Sequence, residues 1–518
     1  MNVCEILEER AEGLPEKVFL YFEDQEITFR QFNESVNKAA NGLLRLGIRK
    51  KERVSMLLGN CPEFLYCQFG LLKIGAWSVP INIASKPPEV EYILNNSESN
   101  SLITSPDYLE SVIVPIRDNC PLLERIICVG DKKLRDTIQY SEMIKCCSTD
   151  YELQVIDEEN DIACIMHTSG TIGPPKGCML PYGNFTGPRG IVDNAKVQHN
   201  DRFFNSLPLF HSNAQVLAVL PSIFSGASLI LIDRFSSSSF WRQTRQYGAT
   251  IFNYIGFLPA ALSALPPADT DGDNPVRLAM GAGMQGKDIE EFERRFHLKV
   301  LEVYGTTESG VLTINPIDAR KIGSQGPPFA FHALKIVDDK GNEMRHGTVG
   351  NILIKARGML KGYYGDPERT KHDIIDGWYH SGDLGYLGDD GYLYFVDRKI
   401  DMIRRSGENI SPFEVETVLR SHPKIIDAAV VPVPDKIRGQ EVKALIILQR
   451  GETQETVPPE EVIRFCEERL SYFKVPRFIG YRKDFPRTPS KKTKKSLLKK
   501  ETDLTKNCYD KAEKRLLG

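Results

Sequence analysis

The sequence lacks an excess of either charge. Its 518 residues include 66 Lys and Arg and 69 Asp and Glu, which gives a net charge of -3 and an isoelectric point near 6.4. A protein that holds nucleic acid through its phosphates usually carries a clear basic excess. The balance therefore argues against a dedicated nucleic-acid binder and fits a soluble enzyme.

Long, uninterrupted apolar runs are also missing. Residues 1–17 mix Glu and Arg throughout, so no targeting segment is expected at the start. The longest apolar stretch, residues 214–232, is interrupted by Pro221 and Gly226 and changes from helix formers to Leu-Ile-Leu-Ile. This pattern predicts a buried helix followed by a central strand, and no integral membrane segment.

Cysteine pairs at metal-binding or redox spacing are absent. The chain has eleven cysteines, an odd number with no C-x-x-C pair, and Cys146 and Cys147 are too close together for a metal knuckle. This usage favours a reducing compartment over a disulfide framework, so we expect a cytoplasmic protein. The sequence shows no internal repeats and does not indicate an oligomeric state.

Short β-branched runs alternate with amphipathic helical stretches, which is typical of a layered α/β fold. Strands are predicted at residues 53–58, 101–104, 126–129 and 250–254. A helix is predicted at residues 288–296, with Ile289, Phe292 and Phe296 on its apolar face. From residue 347 to 396, glycines separate short strands, which predicts a small β subdomain.

A chain of this length is too long for one ordinary core. After Arg398 a compact pattern restarts, with strands predicted at 428–432 and 442–448 and a helix at 459–470. We therefore predict a large N-terminal domain of layered α/β subdomains plus the β subdomain, residues 1–397. A small mobile α+β C-terminal domain follows, residues 398–518.

One loop, His-Thr-Ser-Gly-Thr-Ile-Gly-Pro-Pro-Lys-Gly at residues 167–177, has the composition of a phosphate site. Glycines let main-chain N–H groups approach an anion closely, hydroxyls add donors and a lysine adds positive charge. A P-loop is disfavoured, because that motif needs Gly-Lys followed by Ser or Thr. The candidate phosphate ligands are Thr168, Ser169, Gly170, Thr171, Gly173 and Lys176.

Five further segments follow this loop in a fixed order. They are Pro-Leu-Phe-His at 208–211, Tyr-Gly-Thr-Thr-Glu at 304–308, Tyr-His-Ser-Gly-Asp at 379–383, Asp-Arg-Lys at 397–399 with Arg-Ser-Gly-Glu-Asn at 405–409, and Pro-Arg-Thr-Pro-Ser-Lys-Lys at 486–492. In this order the chain resembles the adenylate-forming superfamily of acyl-CoA synthetases, firefly luciferases and peptide-synthetase adenylation domains.

The resemblance implies two reactions in one site. A carboxylic acid first attacks the α-phosphate of ATP and expels pyrophosphate, giving an acyl adenylate. The thiol of CoA then attacks the acyl carbonyl and releases AMP. Catalysis of the first step is mainly the positioning and neutralisation of phosphate charge.

The resemblance also implies a role for each motif residue. Lys492 would contact the substrate carboxylate and the α-phosphate, Thr307 would bind the α-phosphate and Glu308 would carry Mg²⁺. The nucleotide would be held by the phosphate loop and by Gly281, Ala282, Gly283, Tyr304, Gly305, Thr306, Asp383 and Arg398. The acid and CoA would be held by His211, Tyr254, Gly256, Phe257, Met284, Gly310, Val311, Gly407 and Glu408.

Without the motifs, simpler interpretations of single residues stay open. Tyr304 alone fits a core or turn aromatic, and Asp383 fits a turn residue. His211 fits a structural histidine as well as one at the mouth of the thiol tunnel. Lys492 lies in the run Lys-Lys-Thr-Lys-Lys at 491–495, which alone would fit a solvated basic tail.

Three positions depart from the family pattern. Ile172 stands where a second Thr of the phosphate loop is usual, and main-chain donors are expected to compensate. Ile400 stands at the hinge position, where relatives commonly have Asp or Lys. Lys491 replaces the glycine that normally precedes the catalytic lysine, and the position after Pro-Ser favours Lys492 as that lysine.

The acid substrate is left open by the sequence. Segments around residues 60–64, 73–76, 240–241 and 474–476 resemble crotonobetaine/carnitine–CoA ligases and related short- to medium-chain synthetases. Aromatics in the acyl pocket could face a quaternary ammonium or an alkyl chain, and its candidate residues include no carboxylate. The alternatives are an adenylation enzyme that loads a carrier protein, a light-emitting oxygenase and a catalytically silent nucleotide-binding protein.

Overall fold

A computed structural model of the chain describes residues 1–168, 174–263, 265–284, 286–398, 403–410, 412–486, 493, 495–499, 501 and 503–517. Within these ranges the fold is mixed α/β and is built on several sheets. No helix in the described ranges is long and apolar enough to cross a membrane. All eleven cysteines lie in the described ranges and carry free thiols.

The first 314 residues alternate strands and helices. The strands are β1 (Val18–Phe22), β2 (Gln25–Thr28), β3 (Arg53–Leu57), β4 (Trp77–Pro80), β5 (Ser101–Thr104), β6 (Arg125–Cys128), β7 (Ile138–Gln139), β8 (Ile162–Thr168), β9 (Lys176–Pro181), β10 (Arg202–Asn205), β11 (Ser228–Leu231), β12 (Ile251–Ile255), β13 (Leu278–Ala282), β14 (Lys299–Thr306) and β15 (Gly310–Ile314).

The helices of this part are α1 (Val3–Gly13), α2 (Phe29–Arg45), α3 (Pro62–Ile74), α4 (Pro87–Asn96), α5 (Pro106–Tyr108), α6 (Tyr140–Ile144), α7 (Tyr182–Thr186), α8 (Arg189–Asn194), α9 (Ser212–Ala214), α10 (Leu220–Ser225), α11 (Ser237–Tyr247), α12 (Phe257–Ser263) and α13 (Gly286–Phe296). Helix α2 begins at a capping box, in which Thr28 and Gln31 each accept the other's main-chain N–H. Gly75 ends α3 in the left-handed conformation.

Two sheets form from these strands. In the N-terminal sheet the order is β7-β6-β5-β3-β4-β8-β9, and in the central sheet it is β15-β14-β13-β12-β10-β11-β1-β2. Neighbouring strands from β11 through β10, β12 and β13 to β14 run parallel. Their carboxyl ends therefore meet at one edge, where ligands commonly bind in open α/β sheets.

A third sheet forms the β subdomain. Its strands are β16 (His332–Val337), β17 (Gly350–Ala356), β18 (Ile374–Ile375), β19 (Trp378–Leu387) and β20 (Leu393–Arg398), and helix α14 (Pro367–Asp373) precedes β18. The pairing is antiparallel, in the order β16-β17-β19-β18 with β20 also on β19. Asp383 of β19 lies opposite Arg398 of β20 in this register.

The C-terminal part has its own sheet and core. The elements are β21 (Ile403–Arg405), β22 (Glu408–Ile410), α15 (Pro412–Arg420), β23 (Ile425–Asp435), β24 (Gly439–Leu448), α16 (Pro459–Glu467), β25 (Phe478–Tyr481), α17 (Lys495–Leu498), β26 (Cys508–Asp510) and β27 (Arg515–Leu516). Its buried apolar residues, such as Val430, Ala444 and Ile463, form a cluster separate from the large N-terminal core.

The predicted fold class is confirmed. The stretch 214–232 folds into a buried helical segment followed by β11 inside the central sheet. In α13, Ile289, Phe292 and Phe296 are buried as expected. The predicted strand 101–104 matches β5, and the other predicted strands of the N-terminal domain differ from the observed ones by one residue at one or both ends. In the C-terminal part, β23 extends three residues beyond the predicted strand 428–432 at each end, and β24 begins three residues before the predicted strand 442–448. The helix predicted at 459–470 is shorter, because α16 ends at Glu467.

Candidate active site

A cavity of about 1850 Å³ opens where the carboxyl ends of the central strands face the β subdomain and β22. Most residues singled out in the sequence line this cavity. They are Thr168, Lys176, His211, Gly256, Ala282, Gly283, Met284, Tyr304, Gly305, Thr306, Thr307, Glu308, Gly310, Val311, Asp383, Gly407 and Glu408. Residues far apart in the sequence thus line one cavity, which makes it the candidate active site.

The two ends of the predicted phosphate loop lie side by side. Thr168 ends β8 and lies opposite Lys176, which begins the antiparallel strand β9. Ser169, Gly170, Thr171 and Gly173, with the divergent Ile172, lie outside the described residues. The pairing of β8 with β9 brings both ends of the loop to the cavity.

Lys176 lies beside a carboxylate that the sequence analysis missed. Its Nζ is 3.6 Å from Oδ2 of Asp373 and 5.0 Å from the centre of the Tyr363 ring. Burial lowers the pKa of the Lys176 ammonium, and the positive charge of Arg369 lowers it further. A partly buried ammonium of this kind is suited to an anionic ligand.

Asp373 is the centre of a small polar network. It accepts hydrogen bonds from Arg369, from His372 and from the Tyr363 hydroxyl at 3.0 Å. Burial would raise the pKa of this carboxyl, but the hydrogen bonds from His372 and Arg369 lower it below its usual range. A negative charge is therefore held behind Lys176 at neutral pH, and no motif in the sequence signals it.

The segment Thr-Thr-Glu at 306–308 turns sharply after β14. The hydroxyls of Thr306 and Ser309 lie 3.1 Å apart, and the main-chain oxygen of Glu308 accepts the N–H of Leu360 at 2.7 Å. The Tyr363 hydroxyl lies 3.5 Å from Oε1 of Glu308. Tyr363 therefore stands between the carboxylates of Glu308 and Asp373.

Tyr304 and Asp383 are joined directly. The Tyr304 hydroxyl donates to Oδ2 of Asp383 at 2.8 Å, and both side chains are buried. The Tyr304 ring also lies 6.0 Å from the Phe395 ring. The main-chain N–H of Asp383 donates to the Ser381 hydroxyl. The side chain of Arg398, opposite Asp383 in the sheet, lies outside the described residues.

Glu302, on β14, is a second carboxyl that the sequence analysis missed. It is 2% exposed, and it accepts the N–H groups of Gly283 at 3.2 Å and Met284 at 3.1 Å and the hydroxyl of Tyr254. Burial raises the pKa of Glu302 to about 7. The available signal was a lone acid inside an otherwise buried strand, two residues before Tyr304.

Two of the candidate residues lie behind the lining and do not form it. Tyr254 is fully buried, with its hydroxyl directed to Glu302. Gly281 packs so closely on Tyr254 that a Cβ at this position would lie 2.2 Å from the Tyr254 carbonyl oxygen. The side chain of Phe257 lies outside the described residues.

His211 contacts the C-terminal part of the chain. Its Nε2 is 3.1 Å from Oε1 of Glu408 on β22. Burial would lower the pKa of His211, but the charge of Glu408 raises it above its ordinary value. Gly407 packs on Ile255 at the end of β12, so the loop before β22 faces the cavity. Lys491, Lys492 and the hinge residue Ile400 lie outside the described residues.

Comparison with known proteins agrees with the architecture. Residues 7–364 match the AMP-binding enzyme family, and residues 414–492 match the AMP-binding enzyme C-terminal domain. The crotonobetaine/carnitine–CoA ligase of Salmonella agona is 35% identical over 514 residues, which cover 96% of this chain and 99% of that ligase.

Two solved structures extend the comparison. A double mutant of o-succinylbenzoate CoA synthetase from Bacillus subtilis, bound with its product analogue, has a TM-score of 0.82 at 27% identity and covers 96% of this chain and 98% of its own. A fatty acyl CoA synthetase from Mycobacterium tuberculosis has a TM-score of 0.70 at 29% identity and covers 96% and 97%.

The fold and the cavity define an enzyme that acts on a nucleotide. The chain belongs to the AMP-binding enzyme family. It is an AMP-forming acyl-CoA synthetase, a ligase that uses ATP to convert a carboxylic acid to its acyl adenylate and then transfers the acyl group to CoA. The family and the enzyme class predicted from the sequence are thus confirmed.

Proposed function

We propose that both half-reactions take place in the cavity described above. The support is the convergence of Lys176, Glu308, Tyr304 and Asp383 on one space, although they come from three different sheets and from the turn after β14. Each offers a group that binds part of a nucleoside triphosphate: Lys176 an ammonium, Glu308 a metal-binding carboxylate, Tyr304 a flat ring and Asp383 an acceptor for the ribose hydroxyls. Their convergence is the observation that carries the proposal.

The nucleotide is assigned to these residues from the base to the phosphates. Tyr304 and the main chain of Ala282 and Gly283 hold the adenine, with Gly281 packed behind them. Asp383 accepts hydrogen bonds from the ribose hydroxyls, and Arg398 donates to the ribose. The phosphate loop with Lys176 holds the β- and γ-phosphates, and Thr307 holds the α-phosphate. Lys492 stabilises charge on the reacting carboxylate and α-phosphate.

Glu308 fits a magnesium site. Mg²⁺ is commonly bound by one or two carboxylates together with phosphate oxygens and waters, so one cavity-facing carboxylate meets the protein's share. Within the described residues no group of three or more His, Cys, Asp and Glu side chains forms a closed metal site. When bound, the ion neutralises phosphate charge. Glu308 would hold it, and Tyr363 would orient the carboxylate.

The thiol half-reaction is assigned to the face where the C-terminal part meets the central sheet. His211, Gly407 and Glu408 lie together there and would line the CoA tunnel. We keep the boundary between the two domains at residues 397 and 398, with a hinge at 397–400. The C-terminal domain would rotate about this hinge, bringing Lys492 to the cavity for adenylation and Gly407 for thioester formation.

Two acid classes fit the acyl wall formed by His211, Gly256, Met284, Gly310 and Val311. A betaine acid of the crotonobetaine or carnitine type is suggested by the Salmonella ligase. A short- to medium-chain acid is the other class. Glu302 lines the cavity beside this wall, and its carboxyl, when ionised, favours the cationic betaine acid over the alkyl acid. On a separate point, all eleven cysteines carry free thiols, which agrees with our expectation that the protein is cytoplasmic.

A pyrophosphate-release assay over a panel of carboxylic acids tests this proposal. With Mg-ATP and CoA, the preferred acid should give pyrophosphate, AMP and an acyl-CoA thioester in equal amounts. Betaine acids and alkyl acids of matched length should be compared directly. Formation of ADP and phosphate would contradict the adenylate route. Turnover with a carrier protein in place of CoA would favour an adenylation enzyme that loads a carrier. Light emission with oxygen would favour a light-emitting oxygenase. No acid-dependent turnover would favour a catalytically silent nucleotide-binding protein.

A further inference from the structure

Glu302 joins two walls of the cavity. Its two carboxyl oxygens accept the N–H of Gly283, the N–H of Met284 and the hydroxyl of Tyr254, and the side chain of Gln325 also hydrogen-bonds the carboxyl. Gly283 and Met284 follow β13, whereas Tyr254 belongs to β12. Glu302 is 2% exposed, so solvent competes little for these hydrogen bonds.

The main chain on both sides of this contact is closely packed. Gly283 has a φ of +106°, which glycine adopts without strain. Gly256 faces it so closely that a Cβ on Gly256 would lie 2.9 Å from the Gly283 carbonyl oxygen. The turns at Gly256 and Gly283 therefore leave no room for a side chain between them. Glu302 fixes the turn at Gly283 by accepting its main-chain N–H.

We propose that Glu302 is a positioning residue that holds the adenine-facing wall, the main chain of residues 282–284, in register with the acid-facing wall, Ile255 and Gly256. The inference rests on the proposed assignment of these walls to ATP and to the acid. Glu302 does not contact the reacting atoms. It acts through the two main-chain N–H groups that it fixes.

The hydrogen-bond pattern requires the ionised carboxyl. A carboxylate accepts all of these hydrogen bonds, whereas a protonated carboxyl has one O–H that must find an acceptor of its own. Gly283 and Met284 offer only N–H donors here, so protonation breaks at least one of their bonds unless the Tyr254 hydroxyl or the Gln325 amide turns to accept. The register of the two walls is therefore tightest when Glu302 is charged.

The charged and titratable groups around Glu302 are few among the described residues. Tyr254 is in contact, and burial together with the negative charge of Glu302 raises its pKa well above the ordinary value, so it stays protonated. Gln325 is a neutral side chain that also lowers the pKa of Glu302 by hydrogen bonding. Glu293 acts on Tyr254 from α13 and is itself paired with Arg320.

The sign of the pH effect follows from these contacts. Burial raises the pKa of Glu302 to about 7, so the carboxyl loses its proton as the pH rises through neutrality. The walls come into register in the same range. We expect kcat/KM for ATP in the adenylation reaction to rise through about pH 7, because this ratio reports the ionisation of the free enzyme.

Two substitutions test the proposal in the full-length enzyme. Glu302→Gln keeps the shape but presents an NH₂ group where an N–H must be accepted. It should raise KM for ATP about tenfold, the scale of one lost hydrogen bond to a charged group, with a smaller change in kcat. It should also abolish the rise near pH 7. Tyr254→Phe removes a donor to the carboxylate, so the midpoint of the rise should move to higher pH.

Asp201→Asn is the matched control. Asp201 is also buried and accepts a main-chain N–H, from Gln198, and a hydroxyl, from Thr250 just before β12, but it lies at the opposite end of the strand from the cavity. Its pKa is lowered by hydrogen bonds from Arg277 and others despite burial, so it gives no step near pH 7. The profile of this variant should match that of the wild type.

The outcomes separate the inference from the proposed function. If wild-type enzyme forms acyl adenylate but Glu302→Gln keeps both the wild-type KM and the rise near pH 7, the positioning role is wrong while the function stands. If Glu302→Gln does not fold, Tyr254→Phe decides: a midpoint moved upward supports the role, and an unchanged midpoint overturns it. Absence of adenylation in the wild type would instead count against the function.

Discussion

At the scale of single residues, the cavity combines groups of opposite charge at short range. Lys176 lies 3.6 Å from Asp373, and Tyr363 lies between Asp373 and Glu308. An ATP phosphate entering here meets one ammonium whose counter-charge is already supplied by Asp373. The carboxylate of Glu308 would repel the phosphate unless a cation comes with it, which is why we assign that position to Mg²⁺.

Glu308→Gln and Asp383→Ala should therefore have different effects. Glu308→Gln removes a metal-binding charge but keeps the shape, so the adenylation rate should fall strongly and half-maximal activity should need more Mg²⁺. Asp383→Ala removes the ribose acceptor and the partner of Tyr304, so it should mainly raise KM for ATP. Initial rates of pyrophosphate release over a grid of Mg²⁺ and ATP concentrations measure both effects.

Each variant is the control for the other. If Glu308→Gln and Asp383→Ala raise the Mg²⁺ requirement equally, the assignment of Glu308 as the metal ligand is wrong. If both keep wild-type kinetics, the roles assigned to the segments 304–308 and 379–383 are wrong. Glu159→Gln, at an exposed carboxylate away from the cavity, should change neither parameter.

At the scale of strands and helices, much of the molecule could be predicted from local patterns. The periodicity of residues 288–296 specifies the buried face of α13, and glycine spacing marks the β subdomain. The motif residues were found because their neighbours in the sequence identify them. Tyr304 by itself would have been assigned to a core, and it is indeed buried.

Contacts between elements could not be predicted in the same way. Glu302 contacts Tyr254, 48 residues away, because β12, β13 and β14 are adjacent in the sheet, and a sequence pattern does not give strand order. His211 and Glu408 are separated by 197 positions. Asp373 has no motif around it and becomes visible only when α14 packs beside Tyr363. Polar groups buried by tertiary packing are thus the residues that sequence analysis misses.

The loop before β22 gives a prediction for one element. Gly407 has a φ of +86°, and a Cβ there would lie 1.9 Å from Cδ1 of Ile255. Gly407→Val should therefore prevent this loop from docking, slowing thioester formation from supplied acyl adenylate while sparing adenylation. Lys492→Ala should do the reverse, with a loss of about 10² or more in adenylation, the scale of a lost transition-state charge contact. Single-turnover assays of each half-reaction measure the separation.

Two controls accompany this prediction. Gly451→Val also places a side chain at a positive φ in the C-terminal part, but no atom lies within 4 Å of its Cβ position, so it should not separate the half-reactions. Lys491→Ala should be mild in both. If Lys491→Ala abolished adenylation and Lys492→Ala did not, our assignment of the catalytic lysine would be off by one residue.

At the scale of the whole molecule, a buried charge cluster joins the N-terminal and C-terminal parts of the chain. Lys474 Nζ lies 2.5 Å from Glu89 on α4 and 2.7 Å from Glu414 on α15, and the Ser471 hydroxyl donates to Glu89 at 2.6 Å. Lys474 and Glu89 are each less than 10% exposed. Glu89 belongs to the N-terminal part, whereas Lys474, Glu414 and Ser471 belong to the C-terminal part. The cluster therefore stabilises the arrangement of the two parts seen here, in which Gly407 faces the cavity.

Glu89→Gln should therefore shift the domain equilibrium away from this arrangement. Lys474 keeps Glu414 as a partner, so the fold of the C-terminal domain should survive, but a charge-assisted contact between the domains is lost. We expect thioester formation from supplied acyl adenylate to slow by roughly tenfold, the scale of one hydrogen bond to a charged group, while adenylation is unchanged or faster. The ratio of the two single-turnover rates is the measurement.

Lys443→Met is the control, because Lys443 pairs with Glu501 at 3.3 Å inside the C-terminal part and is equally buried. This variant should lower the melting temperature without changing the ratio of the two rates, since the pair does not cross between domains. Equal slowing of both half-reactions by Glu89→Gln would mean that the cluster contributes only to folding. A changed ratio for Glu89→Gln alone would show that a buried ion pair, far from the reacting atoms, sets the balance between the two steps.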